Sequence, residues 1–403
     1  MSLGSILVIN AGSSSLKFSL FRVGADGDLQ LAVRGQIDGI GSRPRLTAKD
    51  GAGNNLVERD FAIMEAREVK DAIALVGAWL HAQFKDEPLL AVGHRVVHGG
   101  AEYSRPVLVD AAVFAKLEHL MPLAPLHQPH NLAGIRALRD TQPQLPQVAC
   151  FDTAFHRTHP QLADLYALPW KFYEAGVRRY GFHGLSYEYI AATLPQIAPQ
   201  ISNGRVIVAH LGSGASLCAL RDGKSIDSTM GFSPLDGIPM GTRPGAIDPG
   251  VLLYLIGQRG MSSSVLEQLL YKESGLLGLS GVSNDMRTLL ESRAPRAQLA
   301  VDYFVHHVAK EIGALVAVLG GLDGLVFTAG IGENSPEIRA RIVNACNWLG
   351  MTLSAEANQR GDPCITAADS TVSAWVVPTN EELMIAKHTH ALLTSSQRQG
   401  ATR

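Results

Sequence analysis

Two segments of this chain, two hundred residues apart, repeat one pattern, and that repeat narrows the possible folds more than any other feature. Ile6-Leu-Val-Ile-Asn-Ala-Gly-Ser-Ser-Ser aligns with Val206-Ile-Val-Ala-His-Leu-Gly-Ser-Gly-Ala at a constant offset of 200. Val8/Val208, Gly12/Gly212, Ser13/Ser213 and, further on, Leu20/Leu220 are identical. Each copy reads as strand, small-residue turn, strand. Each then reaches an Asp-Gly pair, Asp26-Gly27 or Asp222-Gly223, which is a strong hairpin signal before a third strand. Four identities prove little alone, but the shared order suggests two copies of one fold with a ligand between them.

The rest of the chain alternates in the manner of an α/β protein. Ile6–Ile9, Leu89–Val92, Val148–Phe151, Val206–Ala209 and Leu325–Thr328 are short apolar runs, as buried strands should be. Val69, Ala72, Ile73, Val76, Trp79 and Leu80 recur at helical spacing and predict one amphipathic helix. Tyr187–Leu194 and Leu299–Leu319 also read as helices, and the amide- and proline-rich stretch Leu194–Asn203 reads as a surface loop. A length of 403 residues suits two domains better than one core. Apolar residues at 46% and charged ones at 18% are enough to bury both. A net charge of −2 without long runs of one sign argues against nucleic acid or an anionic membrane as the main partner.

The longest apolar stretch, Ile312–Ala329, carries Asp323 and four glycines, so it predicts helix, turn and strand rather than a membrane span. The N-terminal segment has no basic region and only a four-residue apolar run, so no signal peptide is expected. Cys150, Cys218, Cys346 and Cys364 lie far apart with no C-x-x-C pair, which fits a reducing, cytoplasmic setting.

Several short motifs carry chemistry. Asn10-Ala-Gly-Ser13-Ser-Ser15-Leu-Lys17 offers backbone N–H groups, hydroxyls and a cation in one turn, suited to phosphate, although a plain hairpin with an exposed lysine reads equally well. His210-Leu211-Gly212-Ser213-Gly214 repeats that chemistry and favours the phosphate reading. Gly330-Ile331-Gly332-Glu333-Asn334-Ser335 follows an apolar strand and precedes the helical pattern 336–344. Its glycines suit nucleotide phosphate or ribose, or simply a tight strand-to-helix turn. NAD is disfavoured, because Ser335 replaces the third small residue and no strand ending in an acid follows. His94-Arg-Val-Val-His98 has zinc-helix spacing, but it is β-branched and carries Arg95 where a zinc helix needs its glutamate. Arg95 reads better as a bidentate clamp for carboxylate or phosphate. Phe151-Asp152-Thr-Ala-Phe-His156, Tyr180-Gly-Phe182-His183-Gly and Met240-Gly-Thr-Arg243-Pro-Gly add an acid, a histidine and an arginine of phosphoryl-transfer type. No P-loop and no G-x-S-x-G occurs.

These motifs, with Pro378-Thr-Asn-Glu-Glu-Leu383, occur in the order found in the acetate and propionate kinase family, which the sequence resembles from about residue 5 to 394. The resemblance implies two duplicated actin- and hexokinase-like (ribonuclease H-like) α/β domains closing on ATP at an interdomain cleft. The expected division is residues 1–152 with 386–403, the last helix returning to the first domain, and residues 153–385. It further implies Mg²⁺-dependent, reversible transfer of the ATP γ-phosphoryl group to acetate, giving acetyl phosphate and ADP, by a cytoplasmic homodimer. A kinase for propionate or another short-chain carboxylate, or a non-catalytic ATP-binding regulator, are the alternatives.

By the same resemblance, Arg95 holds the acetate carboxylate, Asp152 orients groups at the reaction centre, and His183 and Arg243 stabilise the transferring phosphoryl group. Val97, Leu126, Phe182 and Pro234 would line the acyl pocket, with His127 helping to position substrate. Asn10 and Glu381 would bracket Mg²⁺. Lys17, Ser13 and Ser15 would meet phosphate. His210–Gly214, Asp285-Met286-Arg287 and Gly330–Asn334 would hold ATP. Two departures from the family stand out. Ser213 replaces an asparagine, and Pro244-Gly245-Ala246 replaces Ser-Gly-Asp after Arg243.

Overall fold

A computed structural model describes the backbone of residues 2–400 and the side chains of residues 3–395. The described residues form two compact units, one running to Ala154 and resuming at Asn380, the other spanning Phe155–Thr379. The second unit thus ends six residues earlier than the sequence reading placed it, so Glu381 belongs to the first. The outermost residues of the expected first domain, 1 and 401–403, lie outside the described residues.

The first unit is built on an eight-stranded sheet. Its strands are β1 (Ser2–Ala11), β2 (Ser15–Gly24), β3 (Leu29–Asp38), β4 (Arg45–Asp50), β5 (Asn55–Asp60), β6 (Leu89–Val96), β7 (Val107–Leu108) and β8 (Gln147–Phe151). Their order is β5-β4-β3-β2-β1-β6-β8-β7. β1, β6 and β8 run parallel, and the β1–β5 meander is antiparallel. Alternation sorts each strand between two faces. Leu7, Ile9, Leu16, Phe18, Val33 and Ile37 go to the face buried by the helix Val69–Gln83, whose Val69, Ala72, Ile73, Val76 and Leu80 form the predicted stripe. The opposite face presents Val8, Asn10 and Arg95 and is covered by the last helix, Glu381–Gly400. Gly93 lets that helix approach closely. A Cβ there would fall 2.5 Å from Thr389 Oγ1 and 2.6 Å from an Ile385 methyl.

The second unit holds β9 (Arg205–Leu211), β10 (Ala215–Arg221), β11 (Lys224–Ser228), β12 (Gly324–Thr328) and β13 (Ser373–Val376) in the order β11-β10-β9-β12-β13. This is the β3-β2-β1-β6-β8 order of the first unit with the same strand directions. The duplication read from the sequence is therefore a duplication of topology. One face packs Val206, Val208, Cys218 and Leu220 against Tyr187, Ile190 and Leu194 of the helix Gly184–Ile197. The other carries the long helix Pro295–Leu319.

Three sequence expectations need correction. The gapless alignment holds only up to the first turn. Ala11 pairs with Leu16 but Leu211 pairs with Ala215, so the first hairpin turn is one residue longer. Leu20 therefore corresponds to Ala219, and the Leu20/Leu220 identity is out of register. Leu194–Asn203 is a surface loop only in part, from residue 198 on. The helix runs through Pro195 to Ile197, and Ala198 and Ile201 are buried in the core beyond it. Finally, residues 329–334 are not a bare turn but a short helix in themselves, Ala329–Asn334.

Candidate functional site

In each unit the candidate residues gather at the C-terminal ends of the parallel strands, where open α/β sheets place their ligands. Asn10 lies one residue from the end of β1, Arg95 one residue from the end of β6, and Asp152 follows β8 directly. The Arg95 guanidinium gives Nε to Asp152 Oδ1 at 3.0 Å and Nη2 to Oδ2 at 2.5 Å. This bidentate pair uses one edge of the planar fork. The other edge remains, with Nη1 at 3.4 Å from Asn10 Oδ1. Glu381, the first residue of the last helix, brings its carboxylate to 3.9 Å from Arg95 Nε.

Two carboxylates thus share one guanidinium in a largely buried setting. Burial raises the Asp152 carboxyl against the opposing pull of Arg95. Burial pushes the Glu381 carboxyl up to about 7, helped by Asp152 and Glu382 and opposed by Arg95 and Lys17. Lys17 is the direct cross-strand partner of Asn10 and is exposed, as is Ser13, while Ser15 is half-buried.

The frame under this cluster includes residues that the sequence reading passed over. Buried Asn131 joins two strand ends, donating to the Ala11 carbonyl at 2.7 Å and accepting from Val97 N at 2.9 Å. Buried Gln128 exchanges hydrogen bonds with the His98 backbone, and Thr153 Oγ1 accepts from Gly99 N. A histidine- and amide-rich helix start, His127-Gln-Pro-His-Asn131, was the available signal. His127 itself is exposed, Leu126 is half-buried and Val97 is buried. His94 binds Gln147 Oε1 at 2.8 Å, and burial pushes it down to about 4, so it stays a neutral core histidine.

In the second unit, His210 and Ser216 face each other across β9 and β10. His183 caps the helix Gly184–Ile197 in the left-handed conformation, φ 58° and ψ 23°. Its ring stacks on His210 with centroids 4.2 Å apart, and its Nδ1 lies 2.8 Å from Ser216 Oγ. His210 Nδ1 meets Ser186 Oγ at 2.8 Å. Arg243 donates to the Pro234 carbonyl at 2.6 Å. A Cβ on Gly214 would fall 2.6 Å from Arg243 Nη2 and 3.2 Å from His183 Nε2, so the glycine is what admits both side chains. Gly241 N donates to the Ser213 carbonyl at 3.1 Å, tying the loop that carries Arg243 to the turn after β9.

The remaining candidates sit nearby in sequence pattern but differ in character. Asp285 caps the helix Met286–Glu291 and pairs with exposed Arg287, which holds its carboxyl down to about 2. Met286 is buried. Glu333 is occupied inside the fold, accepting from Ala329 N at 2.8 Å and Thr379 N at 3.1 Å. Gly330 and Asn334 are exposed, Gly212 and Ile331 half-buried, and Leu211 and Gly332 buried. Arg339, unremarked in the sequence, is buried and donates to the Gly332 and Glu333 carbonyls and to Asn358. Of the four acyl-pocket candidates, Val97 and Leu126 belong to the first unit, and buried Phe182 and Pro234 to the second.

The Acetokinase family profile matches residues 5–387 of this chain. The chain belongs to the acetokinase family. It is 59% identical over 389 residues to the acetate kinase of Nitrobacter hamburgensis, with 96% of each chain covered. It is 54% identical to the acetate kinase of Rhizobium meliloti, over 97% of this chain and 99% of that one. Its fold matches a propionate kinase from Francisella tularensis at TM-score 0.89 and 38% identity, covering 96% of this chain and 99% of that one. It also matches the acetate kinase of Porphyromonas gingivalis at TM-score 0.86 and 37% identity, over 97% and 100% of the two chains. Acetokinases are phosphotransferases that use a carboxyl group as acceptor.

The two departures from the family pattern have clear places in the structure. Ser213 is exposed at the tip of its turn, with its backbone already fixed by Gly241. Ala246, where the family has an acid, is also exposed and uses its N–H on the Gly237 carbonyl at 2.8 Å. Asp248 caps the next helix through Gly250 N. The substitution therefore removes a surface charge and leaves the loop's internal bonds in place.

Proposed function

We propose that the chain is an acetate kinase, transferring the γ-phosphoryl group of ATP reversibly to acetate to give acetyl phosphate and ADP. The observation that carries this reading is the Arg95–Asp152 pair. Asp152 occupies one edge of the guanidinium and leaves the other, whose Nη1 has only the long contact to Asn10 Oδ1, for a second carboxylate. An acetate held there is already ionised at neutral pH and needs no general base. The protein's work is then to align the reactants and to neutralise charge on the phosphoryl oxygens. His183, oriented by Ser216 and His210, and Arg243, held by the Pro234 carbonyl, are the groups for that second task. Removal of one such preorganised donor typically costs about 2.7–4 kcal/mol of transition-state stabilisation. Lys17, Ser13 and Ser15 would meet phosphate in the first unit. The turn His210–Gly214, the cap at Asp285–Arg287 and the glycines at 330–334 would hold the nucleotide in the second, and Val97, Leu126, Phe182, Pro234 and His127 would fit the acyl group.

The donor set near Arg95 suits Mg²⁺. Asp152 and Glu381 share the one guanidinium between them, and the Glu381 carboxyl is raised mainly by burial, with Asp152 and Glu382 adding to the shift against the pull of Arg95. The available donors are hard oxygens, the Glu381 carboxylate and the Asn10 amide, and Mg²⁺ typically takes one or two protein oxygens plus substrate phosphates. Asn10 and Glu381 would hold the ion, which when bound supplies positive charge to the phosphate oxygens.

A homodimer is supported by the helix Pro249–Gly257, sequence PGVLLYLIG, none of whose residues is buried and whose Leu253 is 71% exposed. Apolar surface of that kind calls for a covering partner, and a second copy is the reading we favour. Four free cysteines fit a cytoplasmic location. Among the described residues no helix is long and apolar enough to cross a membrane. The near-neutral charge gives no support to a nucleic-acid partner.

The propionate kinase among the structural relatives supports a second reading, in which a longer carboxylate is preferred. Incubation with Mg-ATP and a panel of carboxylates, with acyl phosphate trapped by hydroxylamine, separates these readings. We expect the highest kcat/KM with acetate. A preference for propionate would replace the first reading by the second. ATP binding without any acyl hydroxamate would indicate a non-catalytic regulator.

A further inference from the structure

His183 sits in a conformation that a non-glycine residue keeps only where its surroundings hold it. Its ring is fixed by Ser216 and His210. Its backbone is fixed from another direction. The carbonyl of Phe182, which belongs to the peptide bond leading into His183, lies 2.9 Å from His156 Nε2. His156 is completely buried, and a Cβ on neighbouring Gly181 would fall 2.5 Å from its ring. The segment 181–183 is thus moulded against this one imidazole.

The proton positions on the ring follow from its partners. A carbonyl only accepts, so His156 Nε2 carries the hydrogen. Burial keeps the ring neutral, its pKa pushed down to about 4, so Nδ1 is an acceptor. Ser225 Oγ lies 2.8 Å from that Nδ1, against 4.0 Å for the weaker Cys218 thiol, which also sits 3.1 Å from Oγ, so the hydroxyl gives its single proton to Nδ1. The second imidazole on the same hydroxyl, His159 Nε2 at 2.6 Å, must then donate to it. The result is a directed chain. His159 donates to Ser225, Ser225 to His156, and His156 to the Phe182 carbonyl.

We propose that His156 is a positioning residue for phosphoryl transfer. Its Nε2–H locks the Phe182–His183 peptide and so aims the His183 imidazole, while Ser225 and His159 hold His156 in the one tautomer able to do this. The proposal rests on the role assigned to His183 above. His156 itself touches no substrate group. Its loss should therefore appear in kcat rather than in substrate KM.

The test compares His183→Ala, His156→Phe, His156→Gln and Ser225→Ala by steady-state kinetics, thermal melting and nitrogen-15 NMR of the imidazoles. His183→Ala should lose at least 100-fold in kcat. His156→Phe keeps the ring shape but has no donor, and should lose at least tenfold in kcat with KM for ATP and acetate within twofold. His156→Gln, whose amide can donate to the same carbonyl, should recover most of that loss. Ser225→Ala should raise the population of the Nδ1–H tautomer of His156 and lower kcat several-fold. A near-native His183→Ala enzyme would remove the reading on which the proposal stands. An inactive His183→Ala with a folded His156→Phe enzyme within twofold of wild-type kcat would overturn the proposal alone. Should His156→Phe fail to fold, an unchanged tautomer and kcat in Ser225→Ala would overturn it equally.

Discussion

Replacing Glu381 with glutamine should abolish a proton release that accompanies binding of Mg-nucleotide. The Glu381 carboxyl is raised from 4.5 to about 7, with burial as the main cause. That shift corresponds to roughly 3 kcal/mol between its protonation states, less whatever solvent screening remains for a side chain still 23% exposed. A carboxyl raised in this way favours the folded chain fully below pH 4.5, and that contribution is lost as pH rises through 7. A cation held by Glu381 requires the ionised form, so binding must expel the proton. With a pKa near 7, roughly nine-tenths of a proton should leave through this group at pH 6, about half at pH 7 and about one-tenth at pH 8. Affinity for Mg-ADP should accordingly weaken about tenfold from pH 8 to pH 6 beyond what the nucleotide's own titration causes. Calorimetry with Mg-ADP in two buffers of different ionisation enthalpy measures the released protons directly. The glutamine variant, measured alongside, subtracts the nucleotide's contribution. Equal proton release by the two proteins would refute the combination of a raised carboxyl with a place at the metal.

Asp152→Asn should cost about 100-fold or more in kcat, because an amide cannot keep both hydrogen bonds to Arg95 or offset its charge; near-native turnover would remove the orienting role. Ser213→Asn should tighten ATP binding by about 0.5–1.5 kcal/mol, the worth of one regained hydrogen bond, as read by calorimetry. Because the Ser213 carbonyl is already held by Gly241, the backbone need not move, and an unchanged Kd would mean that the asparagine finds no phosphate. Val97→Ala should raise kcat/KM for propionate relative to acetate, since one methylene in an apolar pocket is worth about 1–3 kcal/mol. No change in that ratio would place the acyl group elsewhere.

Where hydrophobic period and turn chemistry agreed, the sequence was readable to within a few residues. The five apolar runs are five of the parallel or central strands, and the stripe from Val69 to Leu80 is the buried face of one helix. The charged residues stood out because a lone arginine in an apolar strand, or an acid just past a strand end, has few structural reasons to be there. What stayed hidden acts through the backbone. Asn131 and His156 bind carbonyls or N–H groups of residues far off in sequence, Arg339 binds carbonyls six and seven residues before it, and no spacing rule announces such partners. Leu194–Asn203 misled in part, for a related reason. Its amides and prolines resemble a loop, but Ala198 and Ile201 are claimed by the core.

The one-residue error in the repeat alignment bears on function. Read without a gap, Lys17 corresponds to Leu217, and the two hairpins share nothing at that point. The strand pairing instead sets Lys17 opposite Asn10 and Ser216 opposite His210. Asn10 and His210 are equivalent positions at the 200-residue offset, so the duplicated hairpins offer the same pair of sites at the same end of each sheet. Cross-strand neighbours point to one face, so each pair presents its two side chains together. One copy fills its pair with an amide and an ammonium group, suited to metal and phosphate. The other fills it with an imidazole and a hydroxyl, which hold His183 in place. Duplication fixed where chemistry could be mounted, and divergence at these two positions gave one hairpin an amide and an ammonium group and the other an imidazole and a hydroxyl.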